Sequence, residues 1–338
     1  MRIGINGLGR IGRGFLRHAL ERDDVEVAAV NDLAEPAMLA HLLRHDSVAG
    51  RLPHEVRAEG GTLRAAGRAI RCTRHATPAE IPWGAAGVEV VLEATGRFTG
   101  RAAAAGHLVG GARSVVISAP SPDADLTVCY GVNHQRYDAA RHRVISNASC
   151  TTNAMAALLV VAEEAWGIER AAMTTVHCLT NNQMLVDAPH ADPRRARAAG
   201  LSMIPTSTSA AAAIVRVLPA LAGKVHCLAV RVPTSAVSLI DLSLLLRRDA
   251  DAGAARDAYR AAAAGRLRGI LGYSDEELVS IDYQGDPRSA VVDGPLVAVE
   301  DRRLLKVFAW YDNERGYVHR LGDLLRHMGR GTRAPEAS

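Results

Sequence analysis

Residues 2–12 read RIGINGLGRIG, and how they fold decides the rest of the first half of the chain. Residues 2–6 are an apolar run of strand length. Gly7-Leu8-Gly9-Arg10-Ile11-Gly12 follows at once, and Ile11, Phe15, Leu16, Ala19 and Leu20 then recur at helical spacing. A second apolar strand, Val25 to Val30, ends at Asn31-Asp32. Strand, GxGxxG turn, helix, strand and an acid about 20 residues beyond the last glycine make the dinucleotide-binding fingerprint in its βαβ setting. Gly7, Gly9 and Gly12 allow close approach of a pyrophosphate, and the helix N-terminus faces its charge. Asp32 is placed to accept from a ribose 2′-hydroxyl. It would repel a 2′-phosphate, which favours NAD over NADP. The expected fold class is α/β, a Rossmann-type domain followed by a second, strand-rich α+β domain with a mixed sheet.

Further apolar runs in the first half end in small or polar residues: Val88 to Glu93 before Ala94-Thr95-Gly96, and Ser114 to Ile117 before Ser118. Ligands of open parallel sheets bind beyond the carboxyl ends of the strands. Thr95, Gly96 and Ser118 are therefore candidates for the nicotinamide side of the pocket, or else ordinary loop residues. Residues 46–82, rich in Arg, Gly and His, read as a peripheral hairpin.

At the middle of the chain stands SNASCTTNAMAA, residues 146–157. A β-like run, Arg143 to Ile145, precedes it, and an apolar Ala-rich helical run to Trp166 follows. With Ser149 as N-cap, Cys150 falls in the first helical turn. There the helix dipole favours a thiolate, so Cys150 is expected to lose its proton readily and act as a nucleophile. Downstream, Ala171 to His177 is a strand ending in His, the usual general base near neutral pH. Cys178, next along, is expected to face the other way and to be structural. Residues 179–201 read as a long polar loop. Pro205 to Ser209 opens another helix with an anion-receptive N-terminus. Arg231, in the strand Leu228 to Val232, needs either an internal carboxylate or a substrate phosphate. Strands are expected at 237–246, 278–282 and 304–310, a helix at 254–264, and a last helix from Asn313.

The chain has 338 residues, is 48% hydrophobic and 22% charged, and carries a formal net charge of +4. That composition describes a globular protein of two domains, and no Lys/Arg block with interleaved aromatics marks a nucleic-acid binder. Five cysteines without a CxxC pair fit a reducing compartment. No signal-peptide pattern or membrane-length apolar run is legible, so a cytoplasmic location and no membrane partner are expected. No ligand-spaced His set is present, so no metal is expected.

With the fingerprint and Cys150 in hand, the chain resembles the phosphorylating glyceraldehyde-3-phosphate dehydrogenases over nearly its whole length. The shared motifs are NGxGRIGR at 6–13, ND at 31–32, EATG at 93–96, SNASCTTN at 146–153, TTVH at 174–177, RRAR at 194–197, RVPT at 231–234 and WYDNE at 310–314. The resemblance implies an NAD-binding domain of residues 1–149, completed by a C-terminal helix at 313–330, and a catalytic domain of residues 150–312. It makes Cys150 the nucleophile and His177 its base, acting through a thioester on glyceraldehyde 3-phosphate with inorganic phosphate as second substrate. Thr180 and Arg231 match the substrate-phosphate pocket; Ser149, Thr151, Arg195, Thr208 and position 209 match the attacking-phosphate pocket. Arg10, Ile11, Asp32, Ser118 and Asn313 match cofactor contacts. The loop 179–201 resembles an interface loop and implies a homotetramer. Ala154, Ala157 and Ser209 depart from residues common in the family, and Ala188-Pro189 leaves room for some NADP use beside NAD. Erythrose-4-phosphate dehydrogenase, a relative that alters the segments around Thr180 and Thr208, is the alternative. A specialised copy, resistant to a thiol inhibitor or linked to arsenate, is another.

Overall fold

The computed structural model describes residues 1–331 and divides into two compact units. The first comprises Met1–Tyr130, His134–Ser149 and residues 318–331; the second comprises Gly131–Asn133 and Cys150–Tyr317. Among the described residues no helix is long and apolar enough to cross a membrane.

Besides a two-stranded sheet of His45–Asp46 and Gly50–Arg51, the first unit is built on one nine-stranded sheet. From edge to edge its strands are Leu126–Thr127, Val144–Ser146, Ser114–Ile117, Val90–Glu93, Arg2–Asn6, Glu26–Asn31, Arg68–Thr73, Thr62–Ala65 and Val56–Glu59. Arg2–Asn6 pairs in parallel with both Glu26–Asn31 and Val90–Glu93, as a βαβ crossover requires. The central strands are buried on both faces, which is why they read as continuous apolar runs rather than as alternation. The helix Arg10–Leu20 buries Phe15, Leu16, Ala19 and Leu20. The region 46–82 is more than a peripheral hairpin. Arg68–Thr73 pairs in parallel with Glu26–Asn31, and two antiparallel strands extend the sheet beyond it.

The second unit carries a mixed sheet ordered Ile204–Thr206, Val225–Arg231, Ile168–His177, Ser238–Leu246, Leu304–Tyr311, Ala290–Asp293 and Leu271–Ser274. Ile168–His177 is parallel to Val225–Arg231 and antiparallel to Ser238–Leu246. The helix Cys150–Ala165 packs against the helices Ala210–Val217 and Ala252–Ala264 and against the strand Ala290–Asp293. Residues 151–162 of this helix are buried on every side, so it has no polar stripe to expose.

Two sequence expectations are corrected and one is refined. Residues 278–282 form a single-turn helix, Ser280–Tyr283, instead of a strand. Val279 and Ile281, whose alternation suggested a strand, are 60% and 65% exposed in this unit. The loop 179–201 is not simply polar, because Leu185, Val186 and Leu201 stand largely exposed on it. The regular part of the last helix runs from Arg315, two residues beyond Asn313, and Asp312 Oδ1 accepts the backbone N–H groups of Glu314 and Arg315 ahead of it.

Candidate active site

Cys150 is the first residue of the buried helix Cys150–Ala165, and His177 is the last of the strand Ile168–His177. Along that strand Ala171, Met173, Thr175 and His177 are buried at a period of two, which places His177 on the buried face. Cys150 Sγ lies 3.5 Å from His177 Nε2. His177 Nδ1 lies 2.8 Å from the carbonyl oxygen of Cys178. A base needs the tautomer whose Nδ1–H donates to that carbonyl and whose Nε2 lone pair faces the thiol; Arg231 Nη1, a donor only, competes with the carbonyl for Nδ1 and opposes it.

The parallel register pairs His177 with Arg231, and the antiparallel register pairs Arg231 with Ile204. Arg231 Nη1 lies 2.5 Å from His177 Nδ1 and donates to the Cys178 carbonyl oxygen at 3.2 Å. No carboxylate pairs with Arg231 among the described residues, so the internal salt bridge is not its partner. Its hydrogen-bond partners are His177 and the Cys178 carbonyl, so its charge has no carboxylate to offset it among the described residues.

The electrostatics follow. Burial, with Arg231 second, holds His177 down to about 3, so its imidazole is neutral near pH 7. Burial also raises the Cys150 thiol, against the lowering effects of Arg231 and Thr151. This corrects the expectation of a readily ionised thiol: desolvation outweighs the helix start. Partial exposure of Cys150 moderates that cost. The resting pair is thus a thiol beside a neutral base. Cys178 is structural in position, as its Sγ is buried and donates to Asn313 Oδ1 at 2.9 Å, with burial pushing it up to about 12.

Tyr311 was not singled out in the sequence. Its hydroxyl, 2.8 Å from both Thr151 Oγ1 and Thr175 Oγ1, ties the start of the Cys150 helix to the His177 strand. Its ring meets that of His177 edge-on, with centroids 6.0 Å apart. Its place in WYDNE was the only signal, and the contact spans 160 residues.

Around this core, Thr180 N–H donates to Gln183 Oε1 at 3.1 Å. Arg195 Nε donates to Thr206 Oγ1 at 2.8 Å and its Nη2 reaches the Ser207 carbonyl at 3.3 Å, which sets it beside Thr208 and Ser209. Arg195 also lies near enough to Arg231 to repel it. Asp192 Oδ2, 3.5 Å from Arg195 Nε, partly offsets the charge. Thr208 Oγ1 accepts from Ala210 N–H, and Ser209 caps the helix Ala210–Val217 without a side-chain cap bond. Its hydroxyl is thus not used by its own helix. Ser149 directly precedes Cys150.

In the first unit, a cavity of about 250 Å³ is lined by Gly7, Gly9, Asp32, Leu33 and Thr95, among others. Gly7 sits at φ +91°, and a β-carbon on it would come within 2.8 Å of Thr95 N. A β-carbon on Gly12 would lie 2.0 Å from the Gly7 carbonyl oxygen, while one on Gly9 would meet nothing within 4 Å. So Gly7 and Gly12 are needed for close packing, and Gly9 leaves an open face for a ligand. Asp32 Oδ2 accepts from Leu8 N–H at 2.7 Å and Oδ1 from Ala34 N–H at 2.9 Å, which fixes the carboxylate at the groove. Gly96 has φ +70°, and Ser118 N–H donates to the Glu93 carbonyl at 2.9 Å. Arg10 commits its guanidinium to Asp46 at 2.6 Å, and with Ile11 it stands in the first turn of the helix, whose leading N–H groups have no intrahelical acceptor. These residues fit a dinucleotide.

The chain is similar to known proteins over nearly its whole length. Residues 1–101 match the model for the glyceraldehyde 3-phosphate dehydrogenase NAD-binding domain, and residues 149–313 match the model for its C-terminal domain. Glyceraldehyde-3-phosphate dehydrogenase 1 of Bacillus cereus is 50% identical over 327 residues, covering 97% of this chain and 98% of its own. Glyceraldehyde-3-phosphate dehydrogenase 1 of Bacillus subtilis is 50% identical, covering 98% of each. The enzyme of Kitasatospora aureofaciens is 51% identical, covering 96% of this chain and 98% of its own.

Proposed function

The chain belongs to the glyceraldehyde-3-phosphate dehydrogenase family and is an NAD-dependent oxidoreductase acting on an aldehyde, and we propose that it converts D-glyceraldehyde 3-phosphate and inorganic phosphate to 1,3-bisphosphoglycerate. The observation that carries this reading is the Cys150–His177 pair at 3.5 Å beside an Arg231 that has no carboxylate partner among the described residues.

In this reading the sulfur of Cys150 attacks C1 of the aldehyde while its proton passes to His177 Nε2. His177 returns that proton to the carbonyl oxygen, which becomes the hydroxyl of a thiohemiacetal, and takes it back as the C1–H bond breaks. NAD, when bound, supplies the acceptor for that hydride. C1 is oxidised to a thioester. A phosphate oxygen then attacks the thioester carbon, the carbon–sulfur bond breaks, and the Cys150 sulfur leaves as thiolate. Arg231 and Thr180 hold the substrate's own phosphate. Arg195, Thr208, Ser209, Ser149 and Thr151 receive the attacking one. Asn313 serves as a cofactor contact. Exposed Leu185 and Leu201 on the 179–201 loop, with Met203 beyond it, support a homotetramer in which they are covered.

Steady-state assays of the pure protein with this aldehyde, with NAD or NADP and with or without phosphate, test the reading. Phosphate-dependent NADH formation with NAD well ahead of NADP is expected. Equal turnover without any phosphate acceptor would refute the acyl-phosphate product, and a preference for erythrose 4-phosphate would refute the substrate.

A further inference from the structure

Under the dinucleotide groove lies a buried polar chain that neither the cofactor nor the catalytic chemistry explains. Glu93 ends the strand Val90–Glu93 and is 1% exposed. Its Oε2 accepts from Asn6 Nδ2 at 2.6 Å and from His107 Nε2 at 2.9 Å. Its Oε1 accepts from Thr95 N–H at 2.8 Å and from Thr95 Oγ1 at 2.5 Å. The direction of the chain is set at its far end. Trp83 Nε1, which can only donate, lies 3.0 Å from His107 Nδ1, so Nδ1 is the acceptor and Nε2 carries the proton given to Glu93. No Lys or Arg nitrogen pairs with Glu93 among the described residues. Three N–H groups and one hydroxyl therefore solvate this carboxylate in place of water, and each is tied to it more strongly than to a neutral acceptor.

What those donors belong to gives the residue a task. Asn6 ends the first strand and precedes Gly7. Its Oδ1 accepts from Asn31 Nδ2 at 2.8 Å, and Asn31 adjoins Asp32. Thr95 is the residue against which Gly7 packs, and it lines the groove. One carboxylate thus joins the carboxyl ends of neighbouring strands, Arg2–Asn6 and Val90–Glu93, and through Asn31 reaches Glu26–Asn31.

We propose that Glu93 is a positioning residue for NAD, holding Thr95 and Asn6 so that the Gly7 turn, Asp32 and the Thr95–Gly96 turn form one preorganised rim. The proposal rests on dinucleotide binding by this unit. It acts on binding of the cofactor and leaves the thiol chemistry untouched. In Glu93→Gln one oxygen becomes an NH₂ group that must face two donors, so the rim loosens with little change in side-chain volume.

The test is NAD titration of the intact protein, by calorimetry and by steady-state kinetics, for E93Q, T95V, T95S and the E93Q/T95V double variant. E93Q is expected to weaken NAD roughly tenfold or more, with kcat at saturating NAD nearly preserved. T95V, which loses the hydroxyl, should weaken NAD several-fold, and T95S should retain most of what T95V loses. Because E93Q and T95V remove the same bond, the double variant should be hardly weaker than E93Q. Unchanged NAD affinity in E93Q, a loss of kcat in place of affinity, or singles that multiply in the double variant would each overturn the proposal. Should E93Q fail to fold, equal NAD affinity in T95V and T95S overturns it. Failure of the wild-type chain to bind NAD would overturn the cofactor reading itself.

Discussion

Cys150 and His177 are 27 residues apart in the chain, and Sγ and Nε2 lie 3.5 Å apart. Cys150→Ser replaces the sulfur with a weaker nucleophile and should lower kcat by at least about 10³-fold with NAD binding kept. NADH formation under saturating substrates checks this, and activity within tenfold of wild type would exclude the thioester route. His177 also carries a pH signature. Its folded value of about 3 lies below the ordinary value of 6.5, so the unfolded chain binds the extra proton first. Stability contributed by the neutral imidazole is present above pH 6.5 and is lost as pH falls from there towards 3, by at most about 1.4 kcal/mol per pH unit. His177→Asn should therefore flatten the acid limb of the unfolding curve over that window. Denaturant midpoints at pH 7, 5.5 and 4.5 in the two proteins measure it, and parallel curves would show that His177 does not carry the effect.

At the scale of elements, two close approaches hold the working parts. Gly12 leaves no room for a β-carbon against the Gly7 carbonyl. Gly12→Ala must push the helix Arg10–Leu20 off the first strand, which should cost roughly 2 kcal/mol or more and weaken NAD strongly. Thermal unfolding together with NAD titration reads both, and a variant with wild-type midpoint and affinity would contradict the packing. In the second unit, Tyr311→Phe leaves Thr151 and Thr175 without their shared hydroxyl, so about 1–2 kcal/mol of stability should go. Chemical denaturation measures that loss. The strand misread at 278–282 is instructive at this scale. Apolar Val279 and Ile281 alternate with polar Ser280 and Asp282, but the segment pairs with no strand and forms a single-turn helix. Ala290–Asp293 holds the place beside Leu304–Tyr311 instead.

For the whole molecule, large apolar side chains on the second unit are exposed beyond what a monomer needs: Leu201 is 88% and Met203 75% exposed. Light scattering on the purified protein should give about four times the 35.9 kDa chain mass. Met203→Asp should reduce that mass by burdening an interface with an unpaired charge. A concentration-independent monomer in the wild-type chain would overturn the tetramer.

The sequence by itself determined the fold class and the family. Periodicity, the glycine spacing and the SNASCTTN motif are local signals, written within one strand or one turn. The place of Cys150 at a helix start, the Gly7 to Asp32 fingerprint and the central strands were legible for that reason. Only the tertiary structure decided the protonation of the site and the joints that hold it. The Cys150 thiol and the His177 imidazole are displaced by burial, and burial depends on what packs above them. The Tyr311 bridge joins residues 160 and 136 positions away, and Glu93 gathers donors from 87 residues before it and 14 after. No spacing rule reaches those pairs, because the register of the sheets brings them together.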